Sequence, residues 1–263
     1  MRGLATSVAL AAEWGQLHAW PRLEPGQVHV WRADLALDQA CQAQAYASLS
    51  DAERRGSARR RSAQDRQHAV ASRGILRHLL GCYLERSPSS IALALGPHGK
   101  PRLAGEAADL QFNLAHSGGL AAFAFALGRQ VGVDLQERVP IDLGELESSG
   151  FLSGGEVREL QRLNGQQRDQ AVLRCWTRKE ALLKAMGVGM LAPLSEIEVG
   201  VKPGRPVVLH LPGGQAQLGR WSMTDLDLDA SFAASLVFEG EAAVSVRTWE
   251  PALTLCRGWD SDP

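Results

Sequence analysis

Residues 28–33, Val-His-Val-Trp-Arg-Ala, alternate apolar and polar positions, a period of two that predicts a half-buried strand. Residues 1–26 before it end in the turn-forming Glu24-Pro25-Gly26 and read as an extension packed on the surface. Residues 35–49, rich in Ala and Gln, predict a helix. Ser50, with Glu53 three positions on, supplies a capping box for the next helix, which continues into an apolar stretch at 69–84. After Ser87-Pro88-Ser89-Ser90 come a strand at 91–95 and the loop Gly96-Pro97-His98-Gly99-Lys100-Pro101, which lacks the glycine spacing and ending of a Walker loop. Residues 110–119 begin as a strand and finish in a polar turn, and the continuous apolar run at 120–127 suits a central strand. Gly128-Arg129 then offer a reversal into 131–136, so a hairpin is expected. In its second strand Val131, Val133 and Leu135 face one way, and Gly132, Asp134 and Gln136 the other. An acid there, beside a glycine that leaves room, suits a cation or a charged ligand.

Past Pro140 mixed helix resumes, and Ser153 with Glu156 fits a second capping box. Val172, Trp176, Leu183 and Met186 recur at helical spacing until Gly187 and Gly189 stop the run. Lys179 falls in the middle of that apolar stripe, while Glu180 and Lys184 share its edge one turn apart. A lysine aimed at a core needs an anion. Otherwise it snorkels to water, and Glu180 and Lys184 form an ordinary surface pair. From 205 onward, segments 207–211, 217–223, 231–238 and 243–249 read as short strands of an antiparallel meander, with a frayed tail behind them.

The 263 residues hold one large domain or two ordinary ones, and 45% hydrophobic with 22% charged residues marks a globular chain. A net charge of -1 excludes a general nucleic-acid binder, so any basic site is local. Such a concentration exists at 51–80, where eight arginines meet three carboxylates. That run is either a solvated helix face or, given the excess in a nearly neutral chain, a surface for phosphate. The four cysteines are scattered, with no zinc-ligand spacing, and read as reduced thiols of a cytoplasmic protein. The apolar run 4–12 is followed too closely by Glu13 and Gln16 for an export signal, and no stretch is long enough to span a membrane. His116 alone reads as a structural histidine.

Taken in order, Gly99-Lys100-Pro101, Phe112-Asn113-Leu114-Ala115-His116-Ser117-Gly118, Gly132-Val133-Asp134, Phe151-Leu152-Ser153 with Glu156, and Trp176-x-x-Lys179-Glu180-Ala181-x-x-Lys184 resemble the Sfp-type 4′-phosphopantetheinyl transferases. The likeness runs from about residue 27 to 249. It implies an α+β fold of two pseudo-two-fold related halves with antiparallel sheets, at 27–129 and 130–250, between the extension 1–26 and a tail 251–263. It also implies a cytoplasmic monomer that uses Mg²⁺ and coenzyme A, acting on neither nucleic acid nor membrane. The phosphopantetheine arm would pass to a serine hydroxyl of an apo acyl or peptidyl carrier protein, releasing adenosine 3′,5′-bisphosphate. By the same resemblance, Asp134 and Glu180 are magnesium ligands, Lys184 reaches the pyrophosphate, His116 meets a coenzyme A phosphate, and Gly99-Lys100-Pro101 lies against the adenine. Gln136 stands where many members carry a third carboxylate, and its amide brings no charge to the metal. Ala115 replaces a serine of several relatives. Lys179 and the arginines Arg54, Arg60, Arg66 and Arg73 are candidates for the coenzyme A phosphates. Glu156, despite its capping role, or Glu180 would accept the serine proton. Two other readings stay open: a noncatalytic coenzyme A or carrier-protein binder, and another Mg²⁺-dependent phosphoester enzyme.

Overall fold

The computed structural model describes residues 20–249 apart from 106–108, 140–142, 190–192 and 205. Most of the expected extension and the whole of the expected tail therefore lie outside the described residues. Two sheets stack face to face, each backed by one long helix. Strands β1 (Gln27–Asp34), β4 (Leu110–Ser117), β5 (Leu120–Leu127) and β11 (Ala243–Thr248) form the first sheet in the order β11-β1-β5-β4. The second runs β6 (Val131–Glu137), β10 (Phe232–Glu239), β9 (Trp221–Leu226). Helix α3 (Ala63–Leu84) covers the outer face of the first sheet, and α6 (Gly165–Met186) that of the second.

Alternation along the strands builds three cores. Trp31, Phe123 and Phe125 face Ile75, Leu76 and Leu79 of α3, whereas Val28, Val30, Ala122 and Ala124 meet Val131, Val133, Leu135 and Leu236 between the sheets. The unbroken apolar run of β5 follows, because a strand buried on both faces has no side for polar residues. For the same reason β1 is buried throughout its middle, and His29 sits 2% exposed with Nδ1 2.8 Å from the Tyr83 hydroxyl.

Long-range pairing departs from the local reading in several places. The expected hairpin at 128–129 does not form, since β5 pairs with β1 and β4 while β6 crosses to the second sheet and pairs with β10. Side chains bridge the gap: Asn113 Oδ1 accepts from Val133 N at 2.9 Å, and Ser117 Oγ accepts from Glu137 N at 3.1 Å. Nor is the C-terminal part a meander. Strand β8 (Val208–His210) pairs with β7 (Glu198–Val199), residues Gln215–Leu218 form a helical turn, and β11 runs parallel to β1 in the sheet of the first half. The arginine-rich stretch is two helices, α2 (Asp51–Ala58) and α3, because Ser62 with Asp65 starts a fresh capping box. Upstream, α1 (Gln39–Ser48) is shorter than predicted, being capped by Asp38.

Candidate active site

Gly132 explains how the two halves of the sequence pattern meet. A Cβ there would stand 2.9 Å from the Lys184 carbonyl carbon and closer still to Ala181 O and Ala185 N. The glycine thus makes room for the backbone of α6 rather than for a ligand, and α6 lies directly on β6. Asp134 on the strand and Glu180 and Lys184 on the helix consequently share one space. Lys184 Nζ is 2.6 Å from Asp134 Oδ1 and 3.3 Å from the Val133 carbonyl. Asp134 is 3% exposed, and its Oδ2 is buried without a hydrogen-bond partner.

Burial raises the Asp134 pKa to about 6, with Lys184 opposing the rise and the nearby Glu180 charge adding to it. Glu180 is also raised by burial, against the pull of Lys184. An unpartnered carboxylate oxygen beside a second carboxylate is a donor set suited to a hard divalent cation. Among the described residues no group of three or more His, Cys, Asp or Glu comes together as a metal site, so the protein offers these two acids and neutral oxygens. Gln136 is half-buried, with its Oε1 accepting from Ser117 Oγ at 3.4 Å.

Beside the acids lies a cleft of two cavities, of about 520 and 260 Å³, that share Arg73, Pro101, Leu114 and His116. Lys184 and Asn113 line the smaller, and Arg60 and Arg77 the larger. His116 keeps solvent contact at the junction, yet the surrounding protein removes enough hydration to lower its pKa. The positive charges of Arg60, His68, Arg73 and Lys184 act in the same direction. A cleft this cationic favours phosphate oxygens.

Not every predicted residue faces it. Arg54 donates to the Ala47 carbonyl at 3.0 Å and lies over the Tyr46 ring, and Arg66 donates to the carbonyls of Arg60 and Arg61, both at 3.1 Å. Neither lines the cleft, so of the four arginines Arg60 and Arg73 remain. Lys100 points away, donating to Val131 O at 2.9 Å and Gln130 Oε1 at 3.3 Å, with its pKa lowered to about 8 by burial. It fastens the loop to β6; Gly99, at φ +83°, makes the turn, and Pro101 alone of the three lines the cavities.

Lys179 and Glu156 are corrected together. Lys179 Nζ is 2.6 Å from Glu156 Oε2, the two residues are 0% and 1% exposed, and Lys179 also donates to Phe151 O at 2.8 Å and Leu194 O at 2.9 Å. Glu156 accepts from Ser153 N at 2.7 Å and Val199 N at 2.9 Å. The anion demanded by the mid-stripe lysine is therefore Glu156, and this buried pair lines neither cavity of the cleft. Arg178, unremarked in the sequence, is likewise fully buried and forked onto Asp225 at 2.9 and 2.5 Å. Asn113 carries no role in the pattern; a buried amide between Phe112 and Leu114 is the signal that its partner lies on another strand.

Residues 38–127 match the family model described as 4′-phosphopantetheinyl transferase, N-terminal, and residues 130–237 that of the 4′-phosphopantetheinyl transferase superfamily. The chain is 33% identical over 231 residues to the 4′-phosphopantetheinyl transferase HetI of Nostoc sp., an alignment spanning 85% of this chain and 94% of HetI. It therefore belongs to the 4′-phosphopantetheinyl transferase family. The 4′-phosphopantetheinyl transferase psf-1 of Bacillus pumilus is 27% identical over 152 residues, covering 58% of this chain and 64% of that one. Among solved structures, the holo-[acyl-carrier-protein] synthase of Thermotoga maritima shares 22% identity with a TM-score of 0.34, over 43% of this chain and 63% of that chain.

Proposed function

We propose that this protein transfers the 4′-phosphopantetheine arm of coenzyme A to a serine hydroxyl of an apo acyl or peptidyl carrier protein. The observation that carries the reading is the unpartnered Asp134 Oδ2 set beside Glu180 and Lys184, at the edge of a cleft lined by Arg60, Arg73 and His116. The serine oxygen bonds to the phosphorus that bears the pantetheine arm, the pyrophosphate bridge breaks, and adenosine 3′,5′-bisphosphate leaves with the electron pair. Such a reaction asks the protein chiefly to position its reactants and to offset charge on the phosphoryl oxygens. Asp134 and Glu180 would hold Mg²⁺, which supplies positive charge to the pyrophosphate oxygens when bound. Lys184 adds a second positive charge from the same helix, and Arg60, Arg73 and His116 bind and orient the remaining phosphate oxygens. The serine proton needs an acceptor, and with Glu156 committed to Lys179, Glu180 is the acid left for that role, through the carboxylate oxygen that does not hold the metal.

Both walls of the cleft come from one chain, and we read the enzyme as a monomer. Among the described residues no helix is long and apolar enough to cross a membrane. Cys41, Cys82 and Cys175 are buried as thiols, which fits the reducing cytoplasm. The test is intact-protein mass spectrometry of apo carrier proteins incubated with the enzyme, coenzyme A and Mg²⁺. A gain of one phosphopantetheine mass on the carrier serine is expected. No gain on any member of a panel of fatty-acid, polyketide and peptide carriers overturns the reading.

A further inference from the structure

Helix α2 forms one wall of the larger cavity, yet little apolar packing holds it there. Among its eight residues only Ser57 is buried. Its firmest tie to the body runs through Glu53, whose Oε2 lies 2.7 Å from Arg77 Nε on α3. The same oxygen accepts from Ser50 N and Ser50 Oγ, both at 2.9 Å, so the residue that starts the helix also fastens it. Arg77 is 2% exposed, and its Nη1 donates to Pro88 O at 2.9 Å and Ile91 O at 3.0 Å. One guanidinium thereby joins three of the cavity's walls, α2, α3 and the segment 88–91 that leads into β2 (Leu93–Leu95), while β4 with His116 forms another.

We infer that Arg77 is a positioning residue for coenzyme A, acting through Glu53 to hold α2 so that Arg60, two residues past the end of that helix, faces Arg73 and His116. The inference rests on the proposed transfer reaction for the identity of the ligand. A helix of eight residues is roughly 12 Å long, so a tilt of about 10° carries its far end about 2 Å. A displacement of that size takes Arg60 out of hydrogen-bond range of a phosphate that Arg73 still holds. Burying a guanidinium is costly, and such groups are weak sources of stability against well-packed apolar substitutes, which makes a geometric role the better account of this one. Lysine is a poor replacement. It can pair with Glu53, but its single ammonium lacks the planar fork that reaches the carboxylate and both carbonyls at once.

The experiment compares the full-length protein with Arg77→Met, Arg77→Lys, Glu53→Gln and the Glu53→Gln/Arg77→Met double variant. Coenzyme A affinity is measured by calorimetry, and KM and kcat are measured with an apo carrier. Arg77→Met and Glu53→Gln are each expected to weaken coenzyme A binding about tenfold, raising KM while kcat stays within about twofold, because the lost interaction orients the donor before chemistry. The double variant is expected to match Arg77→Met rather than multiply the two losses, since both act through one latch. Arg77→Lys should fall between wild type and Arg77→Met. Coenzyme A affinity within twofold of wild type in folded Arg77→Met, or losses that multiply in the double variant, overturns the inference. Should Arg77→Met not fold, Glu53→Gln carries the test alone, and unchanged affinity there is equally decisive. Calorimetry reads the latch whether or not a carrier gains mass, so failure of the transfer reaction and failure of the latch are seen separately.

Discussion

Replacing Lys179 by Met keeps the length of the side chain and removes its charge, leaving the Glu156 carboxyl without its counter-charge in a site where it is 1% exposed. The mirror change, Glu156→Gln, leaves the ammonium with only the Phe151 and Leu194 carbonyls and turns an amide toward one of its former donors. Breaking one side of a buried ion pair costs about 3–5 kcal/mol, a large share of the roughly 5–15 kcal/mol that holds a domain folded. Each single variant should therefore unfold at markedly lower urea. The double variant Glu156→Gln/Lys179→Met removes both charges and should lose about 2–3 kcal/mol less than the sum of the two single variants, the coupling of residues in contact. Urea unfolding followed by tryptophan fluorescence measures all three, seven tryptophans providing the signal. Activity separates this account from its rival. If Glu156 took the serine proton, Glu156→Gln would lose about 10²–10⁴ in turnover while remaining folded, and the acidic limb of the pH-rate profile would vanish. That combination, with a stability loss under about 1 kcal/mol, would refute a structural role for the pair.

Gly132→Ala drives a methyl group into the α6 backbone, which cannot swing aside as a side chain can. It should destabilise by about 3 kcal/mol or more, and the folded fraction should lose about 100-fold in kcat/KM as Glu180 and Lys184 shift from Asp134; near-normal kinetics would show that the helix has slack. Asp134 has a folded-state pKa of about 6 against an ordinary 3.8, so the folded chain binds its proton more tightly and stability falls as pH rises through that window. Asp134→Asn should flatten that slope, by about 3 kcal/mol at most, in urea midpoints taken from pH 4 to 7. Mg²⁺ should raise the wild-type Tm at pH 7.5 and leave that of Asp134→Asn unmoved; an equal rise in both puts the ion elsewhere. For Lys100, whose folded pKa is about 8 against 10.5, the sign is reversed: the folded chain binds fewer protons in that window, so this group's contribution to stability rises with pH, and Lys100→Met should remove that rise.

Features written over a few neighbouring residues could be read from the chain alone. The capping boxes at Ser50 and Ser153 are present as predicted, because they need only a hydroxyl and an acid three positions apart. The apolar stripe of α6 was legible for the same reason, as was the demand of Lys179 for an anion. Which anion answered it was not, since Glu156 lies 23 residues upstream and is chosen by how α5 (Gly154–Gln161) packs on α6. Likewise nothing near Gly128-Arg129 says that β6 leaves the hairpin for another sheet, or that β11 returns to lie parallel to β1. Arg77 looks like any other member of an arginine-rich run until a carboxylate on α2 and two carbonyls beyond α3 are found around it. Helix starts and strand faces depend on interactions within a turn or a pleat, which the order of residues specifies directly. A buried charge takes its meaning from whatever folding brings beside it, and for Lys179, Lys100 and Arg77 those partners are settled only when the sheets and helices have packed.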